Sequence, residues 1–196
     1  MSFRSASGYS LTELAAAVGI VATVAAIAVP VVDAGLDETR TAGAARYLSA
    51  RLADARMEAI QRSTEVAMRF TSTGRGYTFG VYADGNRNGV LARDVQDNVD
   101  RSIRGEERLS GNFRNVEFGT LPGLPPIDAG GTPAGNDPVR CGSGNSLSFS
   151  PLGTSSSGTV YLLGRSRSQY AVRVFGGSGK IRVYRFDWRT GRWNPL

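Results

Sequence analysis

The feature that most limits what this chain can become is the stretch from Leu14 to Val32, 19 residues without a charge. Only Gly19, Thr23 and Pro30 interrupt its apolar character. At ~1.5 Å per residue a helix over this stretch is about 28 Å long, close to the ~30 Å hydrocarbon core of a bilayer. A helix that is apolar all round cannot lie on the surface of a globular domain. It needs lipid or other helices around it. A secretory signal peptide puts its apolar stretch before the cleavage site and loses it. Here a polar leader, Met1 to Gly8 with Arg4 as its basic residue, comes first, and Gly8 offers a small residue for cleavage upstream of the run. Cutting there would leave the membrane helix on the mature chain.

Glu13 stands at the mouth of the run. A carboxylate at the centre of a membrane helix costs roughly 2.5–3.5 kcal/mol on insertion scales, less near its end, and it asks for a partner at either depth. After cleavage the amine of Tyr9 would be a cation at the same level, so in a bundle of related helices it can neutralise Glu13 of a neighbour. An ordinary single-pass anchor with Glu13 at the membrane surface fits the charge pattern equally well.

The string Gly8-Tyr9-Ser10-Leu11-Thr12-Glu13-Leu14 closely resembles the type III signal of type IV pilins and type II secretion pseudopilins: a glycine, an aromatic, a few small or apolar residues, then glutamate as the fifth mature residue. Pro30 falls where that family places a helix-kinking proline, and Gly19 matches a frequent family glycine. The resemblance implies cleavage after Gly8 by a prepilin peptidase, N-methylation of Tyr9, and a role for Glu13 in subunit recruitment. Tyr9 stands where the family usually has phenylalanine.

Beyond Val32 apolar residues recur at three- and four-residue spacing: Leu36, Ala44, Tyr47, Leu48, Leu52, Ala55, Ala59 and Ile60. This predicts an amphipathic continuation, giving one helix over residues 9–62 with residues 14–32 in the membrane. Gly35 and Gly43 are points where it can bend. Residues 63–196 read as a β domain. Glu65–Thr71 and Tyr77–Ala83 flank a Gly74-Arg75-Gly76 turn, and further strands are expected at Asn115–Gly119, Ser146–Ser150, Thr159–Leu163, Gln169–Phe175 and Lys180–Phe186. Residues 119–145 form a Gly/Pro-rich loop holding five of the eight prolines, and a loop of that length is usually functional or mobile. The expected fold class is α+β, a long N-terminal helix packed on an antiparallel β-sheet in the manner of pilins.

In the C-terminal half, Phe149-Ser150-Pro151-Leu152-Gly153-Thr154, Gly158-Thr159-Val160-Tyr161, Tyr170-Ala171-Val172-Arg173-Val174 and Gly179-Lys180-Ile181-Arg182-Val183 are similar to the GspH/FimT branch of minor pilins. That branch holds minor pseudopilins of type II secretion and minor pilins of type IV pili, some linked to DNA uptake. Major pilins usually carry a C-terminal disulfide loop, which a chain with Cys141 as its single cysteine cannot form.

Net charge is +6, and it is unevenly spread. From Gly164 to Leu196, eight basic residues face Asp187 alone, so this tail carries +7. An anionic partner suits such a tail. If Gly176-Gly177-Ser178-Gly179 is a hairpin loop, Phe175 faces Lys180 and Arg173 faces Arg182. Val172, Val174, Ile181 and Val183 then point to the core, and Arg173, Lys180 and Arg182 share the outer face. Like charges directly opposite are destabilising, so an anion or an acidic neighbour is expected there. With Arg185 these residues are the candidate DNA contacts, and Tyr184, Trp188 and Trp193 are candidates for base stacking. DNA-binding members of the branch are described by a Gly-Arg-x-Arg string, which Gly179-Lys180-Ile181-Arg182 matches with lysine for the first arginine. That exchange keeps the charge and loses the bidentate fork.

Asp84-Gly85-Asn86-Arg87-Asn88-Gly89 resembles the start of a calcium loop, with Asp84, Asn86 and Asn88 as ligands, but Val95 stands where the closing glutamate is wanted. A polar turn is the simpler reading, and no metal or other cofactor is expected. The chain has no histidine, which removes the commonest general base, and Cys141 beside Arg140 reads as a passive thiol. Without a Walker-type glycine loop, energy for assembly must come from a partner ATPase.

The sequence therefore predicts a non-enzymatic minor pseudopilin or pilin, single-pass in a bacterial inner membrane with its β domain in the periplasm. Its partners would be other pilins or pseudopilins, the prepilin peptidase and an inner-membrane assembly platform. A DNA-binding minor pilin is the alternative, and an unrelated single-pass membrane protein a further one.

Overall fold

A computed structural model of the protein describes residues 10–74, 76–142 and 144–196. Gly8 and Tyr9, the expected processing residues, lie outside them. In chain order the elements are α1 (Leu11–Arg62), β1 (Val66–Thr73), β2 (Gly76–Ala83), α2 (Ala92–Gln96), β3 (Arg101–Glu107), α3 (Leu109–Asn112), β4 (Val116–Phe118), β5 (Val139–Arg140), β6 (Ser146–Phe149), β7 (Gly158–Gly164), β8 (Gln169–Phe175), β9 (Lys180–Asp187) and β10 (Arg192–Pro195). The chain divides into two units at Leu36/Asp37, inside α1.

In the first unit the described residues are helical from Leu11 on. α1 runs without a break through Gly35, Gly43 and Pro30, although Pro30 has no N–H to give the carbonyl of Ala26. Thr23 donates its hydroxyl to the Gly19 carbonyl at 2.8 Å. The one side-chain hydroxyl of the uncharged run is thereby satisfied within its own helix, as a lipid environment demands. The apolar side chains of this unit are exposed, and the helix is long and apolar enough to cross a membrane.

The second unit is built on the rest of α1. Asp37, Thr41, Ala44, Ala45, Leu48, Leu52, Ala55 and Ala59 are its buried residues, one stripe at helical period. Four of the eight are alanine, so the strands approach the helix closely. Leu36 and Ile60, expected on this face, are instead 44% and 40% exposed. Asp37 and Thr41 occupy the turn that apolar periodicity assigned to Leu36.

Among the described residues the strands are antiparallel, as expected, and form two sheets. One has the order β3-β2-β1-β6. The other runs β10-β9-β8-β7-β4, with β5 also paired to β7. The two sheets and the helix share one core. Phe118 of β4 joins the sheets: its ring meets Phe70 of β1 at 5.6 Å, Phe79 of β2 at 6.0 Å and Tyr77 of β2 at 6.1 Å, all edge-to-face. Each such pair contributes about 0.5–1.5 kcal/mol beyond its buried area.

Most strands lie where their apolar alternation places them, and β8 spans Gln169–Phe175 as expected. Sequence reading misses β3, β5, β10 and the short helices α2 and α3. β3 (Arg-Ser-Ile-Arg-Gly-Glu-Glu) is an edge strand with almost no buried side chain, so it has no alternation to read.

The Gly/Pro segment is a strap over the outer face of the second sheet. Ile127 and Ala134 pack there with Tyr161, Ala171, Tyr184 and Trp193. Trp193 donates its indole N–H to the Pro125 carbonyl at 2.9 Å, and the Gln169 side chain bridges Gly119 and Leu121.

Cys141 is buried in the shared core. Burial, reinforced by Asp137, pushes its thiol up to about 12, against any activation by Arg140. A thiol-specific reagent near pH 8 should therefore label the folded chain only through global opening. Phe118→Ala should cost about 3–5 kcal/mol and raise that labelling rate by roughly a hundredfold or more, as followed by mass spectrometry.

Candidate assembly residues and basic surfaces

Ser10 caps α1. Its hydroxyl accepts the Glu13 N–H at 3.2 Å, and the Glu13 carboxylate accepts the Ser10 N–H at 2.9 Å. This reciprocal capping box satisfies two donors that a helix N-terminus otherwise leaves unpaired. The carboxylate also stands at the positive end of the helix dipole. The Ser-x-x-Glu spacing that signals it lies inside the string expected to be a processing signal, where the glutamate reads first as a charge seeking another chain.

The C-terminal hairpin has the expected register. Arg173 pairs with Arg182 and Phe175 with Lys180, across a turn with Gly177 at φ 76° and Gly179 at φ 62°. Arg173 and Arg182 both lie over the Phe175 ring, at 5.5 and 6.0 Å. The acidic neighbour that so close a pair of arginines calls for is Asp128, on the strap. Its Oδ2 accepts Arg173 Nη2 at 2.6 Å, while Arg173 Nη1 donates to Thr159 at 3.0 Å. Arg173 is thus engaged by the chain's own carboxylate, and Lys180 and Arg182 stay at least partly exposed.

Arg185 lies on the opposite, helix-facing side of the sheet, its Nε 3.1 Å from Glu38 Oε1. The four candidate contacts do not converge on one surface. Of the proposed stacking residues, Tyr184 is buried and Trp193 is held by Pro125. Trp188 is 46% exposed, in the turn between β9 and β10, at the other end of β9 from Lys180.

In the loop after β2, Asp84 accepts backbone N–H groups from Asn86, Arg87 and Gly89, at 3.0, 2.7 and 2.9 Å. The side-chain amides of Asn86 and Asn88 donate to Asp94 at 3.0 and 2.8 Å. Asp100 accepts from the N–H groups of Gly85 and Leu91. Oxygens that a cation would need are taken by the loop's own donors. Among the described residues no group of three or more acidic, cysteine or histidine side chains is arranged to hold a metal.

A cluster that sequence reading missed surrounds the start of the second unit. The Asp37 carboxylate, 4% exposed, accepts the N–H groups of Arg165 and Ser166 at 2.9 and 2.8 Å. Gly164 makes room for it: a Cβ there would lie 2.6 Å from Asp37 Oδ2 and 2.3 Å from Thr41 Oγ1. Glu38 accepts the Tyr170 hydroxyl at 2.5 Å as well as Arg185, and burial together with that carboxylate pushes the phenol well above its usual range. Arg167 stacks over Trp188 at 5.2 Å and its carbonyl accepts the indole N–H. Glu38, Arg167, Arg185, Trp188 and Arg189 line a cavity of about 220 Å³. The Arg189 N–H holds the Asp187 carboxyl below the usual range. No single stretch of sequence contains the cluster, since it joins positions ~130 to 150 apart.

Against known proteins, a family model described as type II transport protein GspH matches residues 44–179. Two solved structures of the minor pseudopilin EpsH from the type 2 secretion system of Vibrio cholerae resemble the chain at 13% and 14% identity, each with a TM-score of 0.45. Each comparison covers 74% of this chain and 95% and 94% of the respective EpsH chains. No curated protein gives a sequence match.

In urea titrations, Arg173→Ala and Asp128→Ala should each cost roughly 1 kcal/mol and be less than additive together, whereas Lys180→Ala and Arg182→Ala stay within about 0.5 kcal/mol of wild type. A second expectation concerns acid stability. Donation first from Asn88 and then from Asn86 holds the Asp94 carboxyl below the usual aspartate range. The stabilisation is full above the unfolded pKa and lost as pH falls through the lowered folded one. Asp94→Asn should therefore flatten the acid limb of the stability curve, read by circular dichroism.

Proposed function

The chain belongs to the GspH family of type II transport proteins, and from that premise we propose that it works as a minor pseudopilin, a non-catalytic filament subunit of a type II secretion machine. The observation that carries this reading is the pairing of a GspH-type β unit with an N-terminal helix whose apolar residues have no protein cover. A helix with that surface is complete only in lipid or among sister helices.

In this reading the chain is anchored in the inner membrane through residues 14–32, with residues 37–196 in the periplasm. A prepilin peptidase removes Met1–Gly8, and Tyr9 becomes the methylated N-terminus. The assembly platform and its ATPase then move the subunit from lipid into a filament of other pseudopilins. Pro30 supplies a point at which the helix can kink during that transfer. Glu13 first caps its own helix and, on recruitment, offers its charge to the N-terminal amine of a neighbouring chain. Support for the exchange comes from the position of Glu13 at an exposed helix end.

Of the four candidate DNA contacts, Arg173 and Arg185 are committed to Asp128 and Glu38, which leaves Lys180 and Arg182. The secretion role is therefore the one proposed.

Glu13→Gln separates the two duties of Glu13, since glutamine keeps the capping hydrogen bond and loses the charge. The variant should insert in the membrane as wild type does, yet fail to cross-link to partner pseudopilins and fail to support secretion. If Glu13→Gln assembles normally and only Glu13→Ala fails, the residue is a helix cap and the charge-pairing step is wrong.

A further inference from the structure

Asp37 stands five residues after Val32, the last residue of the uncharged run. Along a continuous helix that is ~8 Å. The polar headgroup layer is itself roughly 5–8 Å deep on each side of the hydrocarbon. If α1 spans a membrane, as the proposed function requires, Asp37 and Glu38 lie at headgroup depth.

Four interactions bring the ends of the second sheet to these residues: Arg165 and Ser166 N–H on Asp37, and Tyr170 and Arg185 on Glu38. The turns carried there are rich in arginine. Arg165 and Arg167 in the β7–β8 turn and Arg189 in the β9–β10 turn are exposed, and none forms a salt bridge with a described residue. The acids that face them are already engaged: Asp37 by two amides, Glu38 by Tyr170 and Arg185, and Asp187 by the Arg189 N–H. Asp33 precedes Asp37 by four residues in the sequence. Trp188 is half exposed among these arginines, with its indole N–H tied to the Arg167 carbonyl.

We propose that Arg165, Arg167, Trp188 and Arg189 form a collar that docks the globular unit on anionic phospholipid headgroups. Guanidinium groups match phosphate oxygens bidentately, and tryptophan with one apolar and one hydrogen-bonding edge is the residue of membrane interfaces. Attraction of basic side chains to an anionic surface falls away within a Debye length, ~8 Å at physiological salt, so only charges kept this close benefit. Connectivity does the rest. In an anchored chain the collar is never far from headgroups, which gives lipid a large effective concentration over any free anion. Docking orients the second unit before assembly, and its release becomes part of the work of extracting the subunit.

The test uses the full-length chain in phosphatidylcholine vesicles with and without phosphatidylglycerol, with a headgroup nitroxide lipid as the quencher of tryptophan emission. Trp188→Phe leaves Trp193 and so isolates the Trp188 signal. Trp188 quenching should be at least about threefold stronger in the anionic vesicles and should fall as salt is raised. In Arg165→Gln, Arg167→Gln, Arg189→Gln together it should drop to the phosphatidylcholine level. Equal quenching of wild type in the two lipids at low salt overturns the collar. The lipid and salt comparisons need no arginine substitution, so they decide the matter even if the triple variant does not fold. Co-flotation with phosphatidylcholine vesicles after an alkaline wash tests the anchor separately. A chain that washes off sinks the membrane reading, and with it the collar, while one that stays but quenches equally sinks the collar alone.

Discussion

One face of α1, from Asp37 to Ala59, is the surface on which the globular unit depends. Neither sheet could hide its apolar side without it, and the core residues of both converge on the same stripe of alanine and leucine. Small side chains on the helix make that convergence possible. Gly43 meets the Phe113 ring at close range, a would-be Cβ 3.3 Å from its edge, and Gly164 admits the Asp37 carboxylate. Asp37 itself would be a costly buried charge, but two backbone amides and its position at the start of the stripe turn it into a clamp. Phe118 completes the arrangement by reaching from one sheet into the aromatic cluster of the other.

Charge in this protein is managed locally before it is offered to anything outside. The strap brings Asp128 to Arg173, relieving the opposed arginine pair in the hairpin. Glu38 holds Arg185 and Glu107 accepts Arg51. A concentration of arginine in sequence is therefore a poor guide to an anion-binding surface, because part of it can be neutralised inside the fold. In the basic tail the cations outside these ion pairs are Lys180 and Arg182 at one end of β9 and Arg165, Arg167, Arg189 and Arg192 at the other. The second group lies at the end of the sheet that is tied to Asp37 and Glu38, soon after the apolar run, whereas the first lies by Arg56, farther along the helix.

The sequence was most readable where one physical effect dominated. An unbroken run without charge leaves few options for Leu14–Val32, and the valine-rich alternation in β8 and β9 defines their strands and even their facing pairs. It was less readable where pairing alone holds the chain. β3 buries almost nothing and β10 rests on a four-residue ladder, so neither carries a period of its own. Ser10 and Glu13 hold a capping box whose spacing was visible but whose meaning competed with a stronger charge argument.

By itself the sequence determined the apolar helix, the register of the β8–β9 hairpin and the resemblance that family membership bears out, because all three rest on local order along the chain. Tertiary structure alone decided that the sheets are two, that Asp128 and Glu38 claim Arg173 and Arg185, and that the β7–β8 and β9–β10 turns gather at Asp37. Those outcomes depend on side chains far apart in sequence meeting across a shared helix, and no window of neighbouring residues records that distance.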